Sequence, residues 1–175
     1  MGKITFIIGG ARSGKSSYAV KLAKDSFKKA AFVATCPYYD EETKERIEQH
    51  IKERPSEWQT FEEFRNLAPL LENIDSQHNF DIVIIDCLTL FISNLLLDKA
   101  EEAFIKERIA QMLQALKNTK YDSILVANEV GLSIVPENQL ARKFRDIAGR
   151  VNQLVAQTAD HAIFMVAGMP LKLKQ

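Results

Sequence analysis

The sequence predicts a single α/β domain over residues 1–175, built on a mostly parallel sheet flanked by helices. Three observations carry this reading. Short β-rich runs alternate with longer helical patterns, the sequence form of successive βαβ units. Ile82-Val83-Ile84-Ile85 is a continuous β-branched run, as expected of a parallel strand covered on both faces. The first such run, Ile4-Thr5-Phe6-Ile7-Ile8, leads directly into a glycine-rich turn and then a helical pattern.

Taken in order, residues 4–8 read as a buried strand, residues 15–27 as a helix and residues 30–34 as a second strand ending near Thr35. Asp40 is suited to cap a helix whose first turn holds Glu41 and Glu42, since negative charge is favourable at the positive end of a helix. Pro55 closes that helix, and residues 58–61 read as a short edge strand. After the central strand at 82–85 come helical patterns at 88–97 and 101–118, then a strand at 123–127. A helix at about 138–159 and a strand at 162–166 finish the fold. There is no repeat, no low-complexity tract and no linker.

At 46% hydrophobic and 26% charged residues, the composition excludes collagen-like, disordered and coiled-coil classes. Lys+Arg and Asp+Glu number 23 each, so no net field draws the chain to nucleic acid or to an anionic membrane. Cys36 and Cys87 sit in no CxxC or Cys/His cluster and read as two reduced thiols of a cytoplasmic protein. Residues 1–6 lack the pattern of a cleavable leader, and Phe6 stands where myristoylation of Gly2 would want Ser or Thr. No apolar run approaches the ~20 residues of a membrane helix, so the expectation is a soluble chain without membrane insertion.

Gly9-Gly10-Ala11-Arg12-Ser13-Gly14-Lys15-Ser16 matches G-x-x-x-x-G-K-[ST] and lies between a strand and a helix, as the motif requires. Glycines let backbone N–H groups turn inward around phosphate oxygens, and the helix N-terminus adds a partial positive charge. Lys15 is expected to reach the β- and γ-phosphates, and the Ser16 hydroxyl to ligate Mg²⁺. The fold class is thus P-loop NTPase-like, with a RecA-like, mostly parallel sheet. Asp86 ends the central strand at the edge where α/β proteins bind ligands, placed to hold the same Mg²⁺ through water. A strand-end aspartate also serves as a helix cap, and read alone Asp86 fits both roles. Thr119-Lys120-Tyr121-Asp122 has the letters of a guanine-reading motif, but it precedes a strand instead of following one and is read as coincidence.

Residues 41–54 are dominated by charge, with Glu42/Arg46 and Glu48/Lys52 at supportive spacing and only Ile47 and Ile51 to bury. Such a helix is expected to be loosely held, a candidate lid. His50 lies at the edge of that narrow stripe, and spacing alone makes it a solvated histidine. His78 and His161 have no metal-ligand partner at usable spacing and read as structural. Asn128 and Glu129 follow a strand and are candidate nucleotide-site residues. The helix after Ile134-Val135-Pro136-Glu137-Asn138 bears Arg142, Arg145, Asp146, Arg150 and Asn152, and its charges read as a solvated or subunit-contact face.

These residues together resemble the bifunctional cobinamide kinase / cobinamide-phosphate guanylyltransferase family. The likeness runs from the phosphate loop through Arg46-Ile47, His50, Arg54-Pro55, Trp58 and Thr60 to Asp86-Cys87-Leu88-Thr89, Ser93-Asn94-Leu95 and Asn128-Glu129-Val130-Gly131. It is strongest in Ile134-Val135-Pro136-Glu137-Asn138 and Phe144-Arg145-Asp146-Ile147-Ala148-Gly149-Arg150-Val151-Asn152, and continues to Ala167-Gly168, Pro170 and Leu173-Lys174. Val20, where relatives carry an acid, departs from the pattern beyond the phosphate-binding turn.

The resemblance implies two activities. Adenosylcobinamide is phosphorylated with ATP or GTP, and GMP from GTP is then joined to that phosphate, releasing pyrophosphate and giving adenosylcobinamide-GDP. It also implies a guanylyl-histidine intermediate, carried at His50 because the family's histidine lies between the Arg-Ile and Arg-Pro pairs, and a homotrimeric assembly. Two rival readings stand beside it: a single-activity P-loop kinase with His50 an ordinary surface residue, and a nucleotide-binding regulator without turnover.

Overall fold

The computed structural model describes residues 1–37, 51–52 and 54–175. The helix expected after Asp40, its candidate lid role and His50 fall outside the described residues. Strand β1 (Ile4–Gly9) leads through the phosphate loop into α1 (Lys15–Ser26), followed by β2 (Ala30–Ala34), β3 (Gln59–Glu62) and α2 (Leu67–Gln77). Then come β4 (Ile82–Asp86), α3 (Leu88–Leu97), α4 (Glu102–Asn118), β5 (Asp122–Asn128), α5 (Gln139–Thr158), β6 (His161–Val166) and β7 (Met169–Lys174). The strands form one seven-stranded sheet in the order β3-β2-β4-β5-β1-β6-β7, parallel except for the β6–β7 pair.

Both faces of the sheet are covered, which is why its strands are apolar runs instead of alternating ones. Ile7, Phe32, Ile82, Ile84, Ile124, Val126, Ile163 and Met165 face Ala19, Val20 and Ala23 of α1. Phe6, Val33, Val83, Ile85 and Leu125 face the other way, against Leu71 of α2, Phe91 of α3, Ile109 of α4 and Val151 of α5. Val20 is buried in the first of these clusters, so an apolar residue there adds core contact. Each fully buried side chain of this size stabilises by about 1.5–3 kcal/mol.

Two elements lie beyond the sequence expectations. Helix α2 presents Leu67, Leu71 and Ile74 at helical spacing, all buried. Strand β7 is exposed along its whole length and runs antiparallel at the sheet edge. Lys174 at its end donates to the carbonyls of Ala156, Gln157 and Ala159 at 3.3, 3.0 and 2.5 Å, so it caps the C-terminus of α5. The edge strand at 58–61 is observed as β3, and the helix at 138–159 as α5, with the Asn138 side chain accepting from Ala141 N–H at its start.

Candidate active site

The sheet order decides where the site falls. From β1 the chain leaves through α1 on one face of the sheet, whereas from β5 it leaves through α5 on the other. Connections departing to opposite faces open a crevice at the C-terminal ends of the neighbouring strands, where open α/β sheets bind ligands. Across that edge stand Asp86 at the end of β4, Asn128 at the end of β5 and Gly9 at the end of β1, with β5 inserted between the loop strand and the Asp86 strand.

The phosphate loop is closed by its own backbone. Ser13 N–H donates to Gly10 C=O at 3.3 Å, and Tyr18 N–H to Gly14 C=O at 2.9 Å as the first bond of α1. Gly14 has φ 90°, a left-handed conformation that costs a glycine little. Gly168 N–H donates to Ser13 C=O at 3.1 Å, tying the loop to the β6–β7 turn. Lys15 is only 7% exposed, and its Nζ donates to Gly10 C=O at 2.5 Å and lies 3.5 Å from Ser13 Oγ. Its ammonium therefore sits inside the curve of the loop. Ala11 and Arg12 are exposed at the loop tip, and Ser16 is half-buried in the first turn of α1.

Strand alternation sorts the acidic and amide candidates by face. Ile82 and Ile84 face α1, so Asp86 falls on the same face, and Ile124 and Val126 do the same for Asn128. Asp86 and Asn128 thus share the side on which the phosphate loop turns into α1. Glu129 lies just past the end of β5, and its Oε1 accepts from Gly131 N–H at 2.6 Å.

Buried polar side chains brace this edge. Thr35 Oγ1 donates to Cys87 C=O at 2.7 Å and accepts from Cys87 N–H at 2.8 Å, clasping the backbone directly after Asp86. Asn94 Nδ2 donates to the carbonyls of Thr35 and Phe64 at 2.9 and 3.2 Å. Burial, and secondarily the charge of Asp86, pushes the Cys87 thiol up to about 12, which keeps it a neutral filler beside the site. Among the described residues no group of three or more His, Cys, Asp or Glu side chains could hold a metal.

Several expectations find their places. His78 stacks on Phe80 at 5.3 Å and meets Phe61 edge-on at 5.5 Å, a packing role. His161 opens β6. The Thr119–Asp122 stretch lies at the opposite edge of the sheet from the phosphate loop, with Thr119 Oγ1 donating to Leu116 C=O and Asp122 Oδ1 accepting from Lys3 N–H. Asn152 stands apart from the charges of its helix. It is 6% exposed and its amide reaches Asn128 C=O at 3.3 Å, because Ala148 and Val155 put it in the apolar stripe of α5. Arg150 instead grips Glu102 through two bonds of 2.7 and 2.8 Å, and Arg142 pins the carbonyls of Pro136 and Glu137.

A parallel sheet with this loop between β1 and α1, and a strand between the loop strand and the aspartate strand, defines a P-loop nucleotide-binding protein of RecA-like architecture. Solved structures similar to it include a RadB recombinase (TM-score 0.57, 16% identity, covering 93% of this chain and 73% of that one). A KaiC-like protein from Pyrococcus horikoshii is also similar (TM-score 0.55, 18% identity, 93% and 71% covered), and at these identities the likeness is one of fold. The profile described as cobinamide kinase / cobinamide phosphate guanyltransferase matches residues 5–173. The chain is 39% identical to the bifunctional adenosylcobalamin biosynthesis protein CobU of Escherichia coli over 96% of its length and 98% of that protein's. It is also 39% identical to the corresponding protein CobP of Pseudomonas aeruginosa over 96% and 95%. The chain belongs to the cobinamide kinase / cobinamide phosphate guanyltransferase family.

Proposed function

We propose that this chain phosphorylates adenosylcobinamide with ATP or GTP and then transfers GMP from GTP to the adenosylcobinamide phosphate, releasing pyrophosphate. The observation that carries the reading is the sheet edge itself: a closed phosphate loop, with Asp86 and Asn128 on its side of the sheet. Lys15 stabilises the charge that builds on phosphate oxygens during transfer, and the N–H groups of the loop and of the first turn of α1 add to it. Asn128 and Glu129 serve as nucleotide-site residues with Gly9, Gly10, Ala11, Arg12, Ser13, Gly14 and Ser16.

The hydroxyl of Ser16 and the carboxylate of Asp86 are hard oxygen donors of the kind Mg²⁺ prefers, and they are the residues that would hold it. When bound, the ion neutralises phosphate charge. In the second activity the His50 imidazole nitrogen attacks the α-phosphorus of GTP, displacing pyrophosphate, and carries GMP as a phosphoramidate until the adenosylcobinamide phosphate takes it. A homotrimer in the cytoplasm completes the reading. The trimer is supported by exposed apolar residues such as Ile134 (94%), Leu132 and Val135 in the segment after β5, and by the open edge of β7. No helix among the described residues is long and apolar enough to cross a membrane.

The test is incubation with GTP labelled at the α-phosphate, without cobinamide. Acid-labile, base-stable label should stay on the protein, be lost in His50→Ala, and persist in His78→Ala and His161→Ala. Label from the γ-position should not stay. Thin-layer analysis with adenosylcobinamide separates the rivals: phosphate alone marks a kinase, phosphate plus GMP the bifunctional enzyme, binding without product a regulator.

A further inference from the structure

Helix α3 is apolar along nearly its whole length, yet it buries the polar side chain of Thr89 in its first turn. The reason lies in the sheet. The last β4–β5 pair is Asp86 with Val126, because the chain turns away into α3 just after Asp86. Asn128, two residues further along β5, therefore has no strand beside it on that side. In a strand the N–H and C=O of one residue point to the same neighbour, so both groups of Asn128 face the gap. Half-buried backbone groups that lack a neighbouring strand are stabilised by side-chain partners.

The partners are side chains from two different helices. Asn128 N–H donates to Thr89 Oγ1 at 2.6 Å, and Asn152 Nδ2 of α5 donates to Asn128 C=O at 3.3 Å. On the far side, Glu129 N–H donates to Gly9 C=O at 2.9 Å, which locks the same backbone to the first residue of the phosphate loop. The Asn128 peptide is thus held from three elements, α3, α5 and β1.

We propose that Thr89 and Asn152 are positioning residues for phosphoryl transfer, holding the end of β5 so that the Asn128 side chain keeps its place beside Asp86 and the phosphate loop. The proposal rests on the functional reading above. Each acts through its hydrogen bond to the Asn128 backbone. Displacing reacting groups by about 1 Å costs up to about 10²-fold in rate. Loss of the clamp should therefore lower kcat about 10–100-fold, while KM for ATP moves less than about threefold because the loop itself is untouched.

The experiment compares Thr89→Val, which keeps the shape and removes the acceptor, with Thr89→Ser, which keeps it. Thr119→Val is the control, since it deletes a buried hydroxyl at the opposite sheet edge. Thr89→Val should lose kcat for the kinase step, Thr89→Ser should restore it to within about threefold of wild type, and Thr119→Val should lower Tm without moving kcat. Hydrogen exchange at the Asn128 amide should accelerate in Thr89→Val only, a readout that does not depend on turnover. Should Thr89→Val fail to fold, Asn152→Leu takes its place with the same expected loss. Unchanged kcat in the clamp variants, or a parallel loss in Thr119→Val, overturns the proposal. Asn128→Ala separates the two levels: wild-type kinetics there removes Asn128 from the site and the clamp's purpose with it, whereas a loss there with none in Thr89→Val refutes the clamp alone.

Discussion

Two neighbouring glycines of one motif should respond oppositely to the same methyl group. A Cβ on Gly9 would stand 2.4 Å from the Met165 carbonyl oxygen and 2.9 Å from Ser13 Oγ, whereas a Cβ on Gly10 would meet nothing within 4 Å. Carbon contacts are comfortable at about 3.5–4.0 Å, so the Gly9→Ala methyl overlaps the β6 backbone by about 1 Å. Met165 is paired with Gly9 in the ladder and 1% exposed, so no side-chain rotation relieves the clash and the strand itself must move. Overpacking of this kind costs about 1–3 kcal/mol. The same shift displaces the start of the phosphate loop, and should lower kinase turnover by up to about 10²-fold. Urea denaturation of Gly9→Ala and Gly10→Ala, followed by kinase turnover for Gly9→Ala, makes the comparison. Equal destabilisation of the two variants, or a Gly9→Ala protein as stable as wild type, would refute the steric argument.

The other expectations are independent of that one. Lys15→Ala should slow phosphoryl transfer by about 10²–10³-fold. Its stability should fall by only about 1 kcal/mol for the lost Gly10 contact, so a folded variant with near wild-type turnover would remove Lys15 from the chemistry. The Arg150 guanidinium, with help from Lys106, lowers the Glu102 carboxyl from an ordinary 4.5 to about 2. That stabilisation is present above about pH 4.5 and is lost as pH falls toward 2. Being partly exposed, it is worth about 1 kcal/mol, so the stability gap between wild type and Glu102→Gln should close over that window and nowhere above it. With its thiol held at about 12, Cys87 carries roughly one part in 10⁴ thiolate at pH 8 and should escape iodoacetamide until the protein is unfolded; native labelling at Cys87 would contradict its burial.

The phosphate loop and the strands that carry it were legible because each obeys a local rule. A β-branched run buried on both faces, a glycine motif at its end and a helix after it need no distant information. Helix α2 was legible in principle, since Leu67, Leu71 and Ile74 stand at i, i+4 and i+7, but Pro69 in its first turn and the polar residues at its end mask the pattern. Strand β7 has no buried face to announce it; its pairing to β6 and the Lys174 cap are tertiary facts. The same holds for Thr35, Thr89 and Asn94, whose partners are 52, 39 and 59 residues away in sequence. Asn152 belongs with them, since its partner Asn128 lies 24 residues away in sequence.

The position of β1 has a consequence for how the molecule is made. Its two neighbours in the sheet are β5 and β6, and its first amides bond Asp122 and Asp160, 119 and 156 residues later in the chain. At a synthesis rate of about 5–20 residues per second, β1 waits roughly 8–30 s for its last partner. Until β5 is made Ile4-Thr5-Phe6-Ile7-Ile8 is an uncharged, β-prone segment with both edges open, and until β6 is made one edge stays open, a composition that pairs readily with other chains. Fragments ending before residue 122 would leave that strand without either sheet neighbour, so the phosphate loop is secured only after most of the residues that follow it have been made.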